Sequence, residues 1–133
     1  MEPAFADTFF FLALLSERDS AHEKAMGFTR ASERALVTTA WVLTEVADGC
    51  AARGQGAAFV ALMDTLRESP EVLVVPPTAG LFDAGVALFR ERTDKRWTLT
   101  DCISFVVMDR QGITDALTGD HHFEQAGFRA LLK

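Results

Sequence analysis

The chain has 133 residues, of which 49% are hydrophobic and 24% charged, with four prolines and a net charge of -6. That size holds one ordinary domain, and the composition excludes a disordered chain. The acidic balance excludes a protein that grips polyanions through a broad basic surface, so any dealing with nucleic acid must pass through a local site.

A first strand is predicted at Ala4 to Ala6. Asp7 follows it directly, and then comes the apolar run Phe9 to Leu15. That run is far shorter than the ~18 to 20 residues that span a bilayer, and it lacks the basic flank of an export signal, so it reads as a buried helix with no membrane role. A second strand-sized run, Ala35 to Val37, leads into a helix over Ala40 to Ala52. Its apolar stripe comprises Val42, Leu43, Val46, Ala47 and Cys50, with Glu45 to one side. Phe59, Leu62, Met63 and Leu66 recur at helical spacing, and a third strand at Val72 to Val75 is stopped by Pro76-Pro77. Thr78 is a good N-cap for a helix through Phe82, Val86 and Phe89. From Asp101 to Met108 the sequence is apolar nearly all round, which predicts a buried helix with Thr100 as its cap. Ile113 to Leu117 and Phe128 to Leu132 complete five strands. There is no internal repeat, and no linker long enough to divide the chain into separate domains.

Strands separated by helices need crossover connections, which predicts an α/β fold with a mostly parallel five-stranded sheet covered on both faces. Ligands in such folds gather outside the carboxyl ends of the strands. Cys50 and Cys102 form neither a disulfide framework nor a CxxC pair; they read as buried packing residues of a protein in a reducing compartment, the cytoplasm.

Four acids stand where packing alone explains them poorly. Asp7 lies between two buried elements, so it is either an N-cap or a functional carboxylate held by a partner. Asp101 opens a buried helix; the helix dipole favours it by roughly 0.3 to 1 kcal/mol, which poorly offsets burial. Asp120 follows the fourth strand and reads equally as a helix cap or a functional group. Glu45 by itself reads as a solvated surface acid. Together these residues suggest a site for a hard divalent cation, which takes oxygen ligands supplied by carboxylates, water and phosphate.

The sequence resembles the PIN-domain family, and within it the VapC-like ribonuclease toxins of bacterial toxin–antitoxin pairs. Four motifs carry the resemblance in the family's order: Ala6-Asp7-Thr8-Phe9-Phe10, Leu43-Thr44-Glu45-Val46, Leu99-Thr100-Asp101-Cys102-Ile103-Ser104-Phe105, and the stretch Ala116 to Phe128 around Thr118-Gly119-Asp120-His121-His122-Phe123. The resemblance implies one PIN-like nuclease domain over residues 1–133, built as a three-layer α/β/α sandwich. It further implies an acidic centre that uses Mg²⁺ or Mn²⁺ to hydrolyse RNA phosphodiester bonds. Carried over by position, the catalytic and metal-binding acids fall on Asp7, Glu45, Asp101 and Asp120, with Asp115 an alternative for the fourth. Thr8, Ser104 and Thr118 match hydroxyl positions that orient ligands or water. A homodimer and a cognate antitoxin whose tail would occlude the acids with an Arg are implied as partners.

Substrate phosphates would be held at the rim by Arg92, Lys95 and Arg96, which together with Arg90 form the densest basic cluster; the other reading is a solvated helix end. Adjacent helical residues point about 100° apart and rarely share one ion, so His121-His122 reads as a phosphate contact or an exposed pair. Trp41 and Trp97 read as core or interface. A haloacid-dehalogenase-like phosphatase would need a second Asp where Phe9 stands, and a receiver domain would need an acidic pair where Ala6-Asp7 stands. Two alternatives remain within the fold: a catalytically silent module that binds RNA or protein, and a free-standing RNA-processing nuclease.

Overall fold

The computed structural model describes residues 2–133. Its strands are β1 (Ala4–Ala6), β2 (Leu36–Thr39), β3 (Val72–Val75), β4 (Asp115–Leu117) and β5 (Arg129–Ala130). They form one sheet in the order β3-β2-β1-β4-β5, and every pairing is parallel. The central strand β1 and its neighbour β4 are buried at every residue, which is why their sequences are uninterrupted apolar runs apart from Asp115. The last strand is shorter than its apolar run because only two residues keep strand geometry, although Leu131 and Leu132 still donate to the carbonyls of Ala116 and Thr118.

The helices are α1 (Thr8–Leu15), α2 (His22–Ala31), α3 (Ala40–Ala52), α4 (Gly56–Glu68), α5 (Ala79–Glu91), α6 (Leu99–Gln111) and α7 (His121–Gln125). Strand order runs outward from β1 in one direction to β3 and in the other to β5, so the chain reverses its winding between β1 and β4. Right-handed crossovers then place α1 to α4 on one face of the sheet and α5 to α7 on the other, giving three layers. The carboxyl ends of β1 and β4 flank the switch point, where α/β folds open a crevice. Among the described residues no helix is long and apolar enough to cross a membrane.

Two helices depart from the sequence expectation. In α5 the cap is Thr78, whose hydroxyl accepts the Leu81 N–H, but the buried face carries Leu81 and Gly85 while Phe82 and Phe89 remain 42% and 44% exposed. The reason is steric: a Cβ at residue 85 would collide with Ile103 Cγ1 of α6, so glycine lets the two helices touch along that line and turns the phenylalanines outward. In α6 the helix begins at Leu99 rather than at Asp101, and Thr98 rather than Thr100 is its cap.

The core is dominated by Phe5, Phe10, Phe11, Ile103, Met108 and Phe123, all essentially inaccessible to water. Phe105 stacks edge-on against Trp97 at 5.0 Å and against Phe123 at 4.9 Å, tying the start of α6 to α7. Cys50 and Cys102 are buried free thiols, and burial pushes that of Cys102 up to about 11, as expected of packing residues rather than reactive ones.

Candidate active site

Asp7 leaves β1 at its carboxyl end and occupies the N-cap position of α1, with extended backbone at φ -91 and ψ 166. Its carboxylate does not cap that helix. The Thr118 hydroxyl, coming from just beyond β4, donates to its Oδ2 at 2.9 Å across the switch point. At 4% exposure the Asp7 carboxyl is pushed up to about 7 from its ordinary 3.8, chiefly by burial. The Thr118 hydroxyl and the Thr8 backbone N–H oppose that rise, whereas the negative charges of Asp101 and Glu45 add to it.

Each of the other acids is likewise held by a donor. Glu45 projects from α3 and is half-buried, not a solvated surface acid, because the Thr8 hydroxyl donates to its Oε1 at 2.7 Å. Asp101 is 7% exposed at the third position of α6, where it completes a capping box with Thr98. Its Oδ2 accepts the Thr98 N–H at 3.1 Å, and its own N–H donates to the Thr98 hydroxyl at 3.0 Å. The sequence Thr98-x-x-Asp101 is a capping-box pattern, so Asp101 has a structural role that a cap at Thr100 would not give it. His122 Nδ1 lies 3.0 Å from the same Oδ2. Burial raises the pKa of Asp101; the Thr98 N–H and His122 bonds lower it, and the charge of Asp120 raises it again.

Asp120 does cap a helix: its Oδ1 accepts the His122 N–H at 2.9 Å at the start of α7. Its own N–H donates to the Thr118 hydroxyl at 3.0 Å, so one hydroxyl serves both Asp7 and Asp120. The structure thus brings Asp7, Glu45, Asp101 and Asp120 together with Thr8 and Thr118 at the carboxyl edge of the sheet. It leaves Ser104 out, since that hydroxyl donates to the Thr100 carbonyl of its own helix at 2.9 Å.

Asp115, the alternative for the fourth acid, does not join this group. It opens β4 at the end of the sheet opposite the acids, and two guanidinium groups claim it: Arg129 Nε and Nη2 at 2.8 Å each, and Arg34 Nη1 at 3.0 Å. The Arg129 bonds, followed by Arg34, hold its carboxyl below the ordinary range against the effect of burial. The basic cluster is also partly committed. Arg92 pairs with Asp94 at 3.0 and 3.1 Å and lies 5.0 Å over the Trp97 ring, while Lys95 is half-buried and Arg96 exposed.

His121-His122, expected to be a phosphate contact or an exposed pair, instead brings His122 onto Asp101, a contact that the sequence reading did not include. Helical geometry suggests divergent rings, yet His121 and His122 sit with ring centroids 4.6 Å apart, and their nitrogens lie with an Asp120 oxygen within 4.8 Å of one another. Both rings lean over the Asp120 cap, but they differ: His121 is exposed, whereas His122 is only 17% exposed and faces Asp101. The signal in the sequence is a cap Asp followed two residues later by His.

Among the described residues no Lys or Arg forms an ion pair with Asp7, Glu45, Asp101 or Asp120. Among the described residues the set whose ligand atoms lie within 4.8 Å of one another is Asp120 with His121 and His122; Asp7, Glu45 and Asp101 stand around it as carboxylates of the type that a hard divalent cation takes as oxygen ligands. In Asp101 the Thr98 N–H and His122 both meet Oδ2, and in Asp7 the Thr118 hydroxyl donates to Oδ2.

A doubly wound parallel sheet with carboxylates at its switch point places the chain among the α/β domains that take their ligands in that crevice. Within that class, the chain matches the PIN domain model over residues 4–129 and belongs to the PIN-domain family. Among solved structures it is similar to VapC20 of Mycobacterium tuberculosis, described as a sarcin-ricin loop cleaving toxin, at 29% identity and a TM-score of 0.85 over 94% of this chain and 95% of that one. FitAcB from Neisseria gonorrhoeae shares the fold at 17% identity and a TM-score of 0.65, over 96% of this chain and 95% of that one. So does a toxin–antitoxin complex from Klebsiella pneumoniae, at 17% identity and a TM-score of 0.63 over 89% and 87%. No curated protein matches the chain.

Proposed function

We propose that this chain is a metal-dependent endoribonuclease that hydrolyses RNA phosphodiester bonds, and that it is the toxin of a toxin–antitoxin pair. The observation that carries the reading is Asp7: a buried carboxylate at a cap position that caps nothing, pushed up to about 7, and grouped with other acids. PIN-domain membership and the likeness to VapC20 support the same activity. That likeness makes the sarcin-ricin loop the first RNA to test.

Asp7, Glu45, Asp101 and Asp120 would hold one or two Mg²⁺ or Mn²⁺ ions. When bound, such ions neutralise the acids, activate water for attack on phosphorus and stabilise the departing oxygen. The chain's own contribution is preorganisation. Thr118 fixes the rotamer of Asp7, Thr8 fixes Glu45, and the Thr98 N–H fixes Asp101, so the carboxylates need little rearrangement on loading. No side-chain nucleophile is required. Lys95 and Arg96, on the segment leading into α6, would bind flanking phosphates; Arg92 contributes less because Asp94 already neutralises it.

The toxin reading brings a cognate antitoxin whose Arg-bearing tail complements the acidic pocket. A homodimer is supported by Phe82 and Phe89, two exposed aromatic rings seven residues apart on α5. A cytoplasmic location would give the chain its RNA substrate, and the two free, buried cysteines are compatible with a reducing compartment.

The test is cleavage of ribosomal RNA by purified protein with Mg²⁺ or Mn²⁺, compared with Asp101→Asn and with chelator present. Asp101→Asn should abolish cleavage while leaving the circular dichroism spectrum intact. Full activity in that variant, or wild-type activity undiminished by EDTA, would falsify the metal mechanism.

A further inference from the structure

We infer that His122 is a positioning residue for Asp101: its imidazole holds the carboxylate in the orientation that captures the divalent cation. This rests on the metal-centre reading above and concerns a side chain which that reading does not use.

The geometry points to it in three ways. With Asp101 ionised, as a cation ligand must be, its oxygen can only accept, so the 3.0 Å contact between His122 Nδ1 and Asp101 Oδ2 is made by the histidine tautomer that carries its proton on Nδ1. The backbone that carries the ring is anchored, and the ring itself is only 17% exposed. Its own backbone N–H is anchored on Asp120 Oδ1 at 2.9 Å, the Asp120 N–H on the Thr118 hydroxyl at 3.0 Å, and that hydroxyl on Asp7 at 2.9 Å. One chain of bonds therefore runs from Asp7 through Thr118, Asp120 and His122 to Asp101, joining the end of β1 to the start of α6.

Thirdly, the fold does not need this imidazole. The capping of α7 is carried by the His122 backbone N–H, which any residue but proline supplies, and Phe123 next to it fills the core. What the ring adds is a second donor on an oxygen that Thr98 already holds, from a different element. The capping box fixes Asp101 relative to its own helix; His122 fixes it relative to Asp120, whose Oδ2 lies 3.5 Å from the same Nδ1. Outer partners that orient metal-binding carboxylates are worth roughly 10- to 100-fold in metal affinity or activity when removed.

The experiment measures Mn²⁺ binding to purified protein without RNA, by titration calorimetry, for the wild type, His122→Ala, His122→Asn and His121→Ala. The Asn amide nitrogen takes nearly the place of Nδ1 and can donate to Asp101, so it separates the hydrogen bond from the ring. His122→Ala should weaken Mn²⁺ binding about 10- to 100-fold. His122→Asn should recover most of that loss, and His121→Ala should bind as the wild type does. Circular dichroism and thermal melting establish that each variant is folded; if His122→Ala is not, the comparison of His122→Asn with the wild type decides alone. Wild-type affinity in folded His122→Ala overturns the proposal. Failure of His122→Asn to restore binding also overturns it, since the ring would then act as a ligand itself or as a packing group. A wild type that binds no Mn²⁺ overturns the metal-centre reading and this proposal with it, which sets that outcome apart from the other two.

Discussion

Replacing Asp7 by asparagine should stabilise the metal-free protein above neutrality. In the fold its carboxyl is pushed up to about 7 from an ordinary 3.8, so between those values the native state holds a proton that the unfolded chain has released. Stability associated with this group is complete below the unfolded value and is lost as pH rises through the folded one. The shift of about three pKa units, at ~1.4 kcal/mol each, makes the full loss about 4 kcal/mol. Asparagine still accepts the Thr118 hydroxyl and carries no charge, so the variant lacks this slope. Urea denaturation of both proteins in chelator, over a pH series from the carboxylate range to above neutrality, reads the effect, because subtracting the two curves cancels the acids that do not interact with Asp7 and leaves Asp7 with its coupling to Asp101 and Glu45. The difference should grow in favour of Asp7→Asn and level off once pH exceeds the folded pKa. Adding Mn²⁺ at 100 times its dissociation constant should return about 2.7 kcal/mol to the wild type and little to the variant. Parallel curves in chelator would show that the Asp7 carboxylate is not destabilised by its burial and its neighbours.

Asp115→Asn should lower the melting temperature, losing about 1–3 kcal/mol with its charged hydrogen bonds, yet retain RNA cleavage and Mn²⁺ binding. Asp120→Asn should keep the α7 cap and its melting temperature but lose RNA cleavage, and an inactive Asp115→Asn would return Asp115 to the set of catalytic acids. The Lys95→Ala, Arg96→Ala double variant should bind RNA more weakly and flatten the dependence of log affinity on log salt by about 1.4, the contribution of two phosphate contacts to a single strand. An unchanged salt slope would mean that those side chains belong to a solvated helix end.

The regions of the fold that were legible in the sequence are those with local punctuation. The third strand ends at Pro76-Pro77, and α3 starts behind the Thr39 hydroxyl, which accepts the Val42 N–H at 3.1 Å. Of the site, Asp7 and Asp101 were legible because burial of an acid between apolar elements needs a reason. What was not legible depends on contacts between distant segments. The outward turn of Phe82 and Phe89 is decided by the approach of Gly85 to Ile103. The exclusion of Asp115 is decided by Arg34 and Arg129, and the burial of Glu45 by Thr8, 37 residues away. Periodicity within one helix contains none of these. The short helix α2 buries only Ala25, which leaves no apolar stripe to read.

A net charge of -6 is reconciled with an RNA substrate when the acids that repel RNA are the ones a cation neutralises. Under the proposed function Asp7, Glu45, Asp101 and Asp120 would be those acids, since they share one edge of the sheet and none is paired with Lys or Arg among the described residues. Bare carboxylates at the switch point act against a phosphate backbone, whereas the same groups around a divalent ion attract it. Cation loading and RNA binding should therefore be coupled before any chemistry occurs. With Asp120→Asn as an uncleaving protein, RNA affinity at constant ionic strength should rise with Mn²⁺, and the rise should be smaller when Asp101 is also neutralised. An affinity indifferent to Mn²⁺ would put the RNA backbone away from the acids, on a surface where the arginines and lysines alone set the binding.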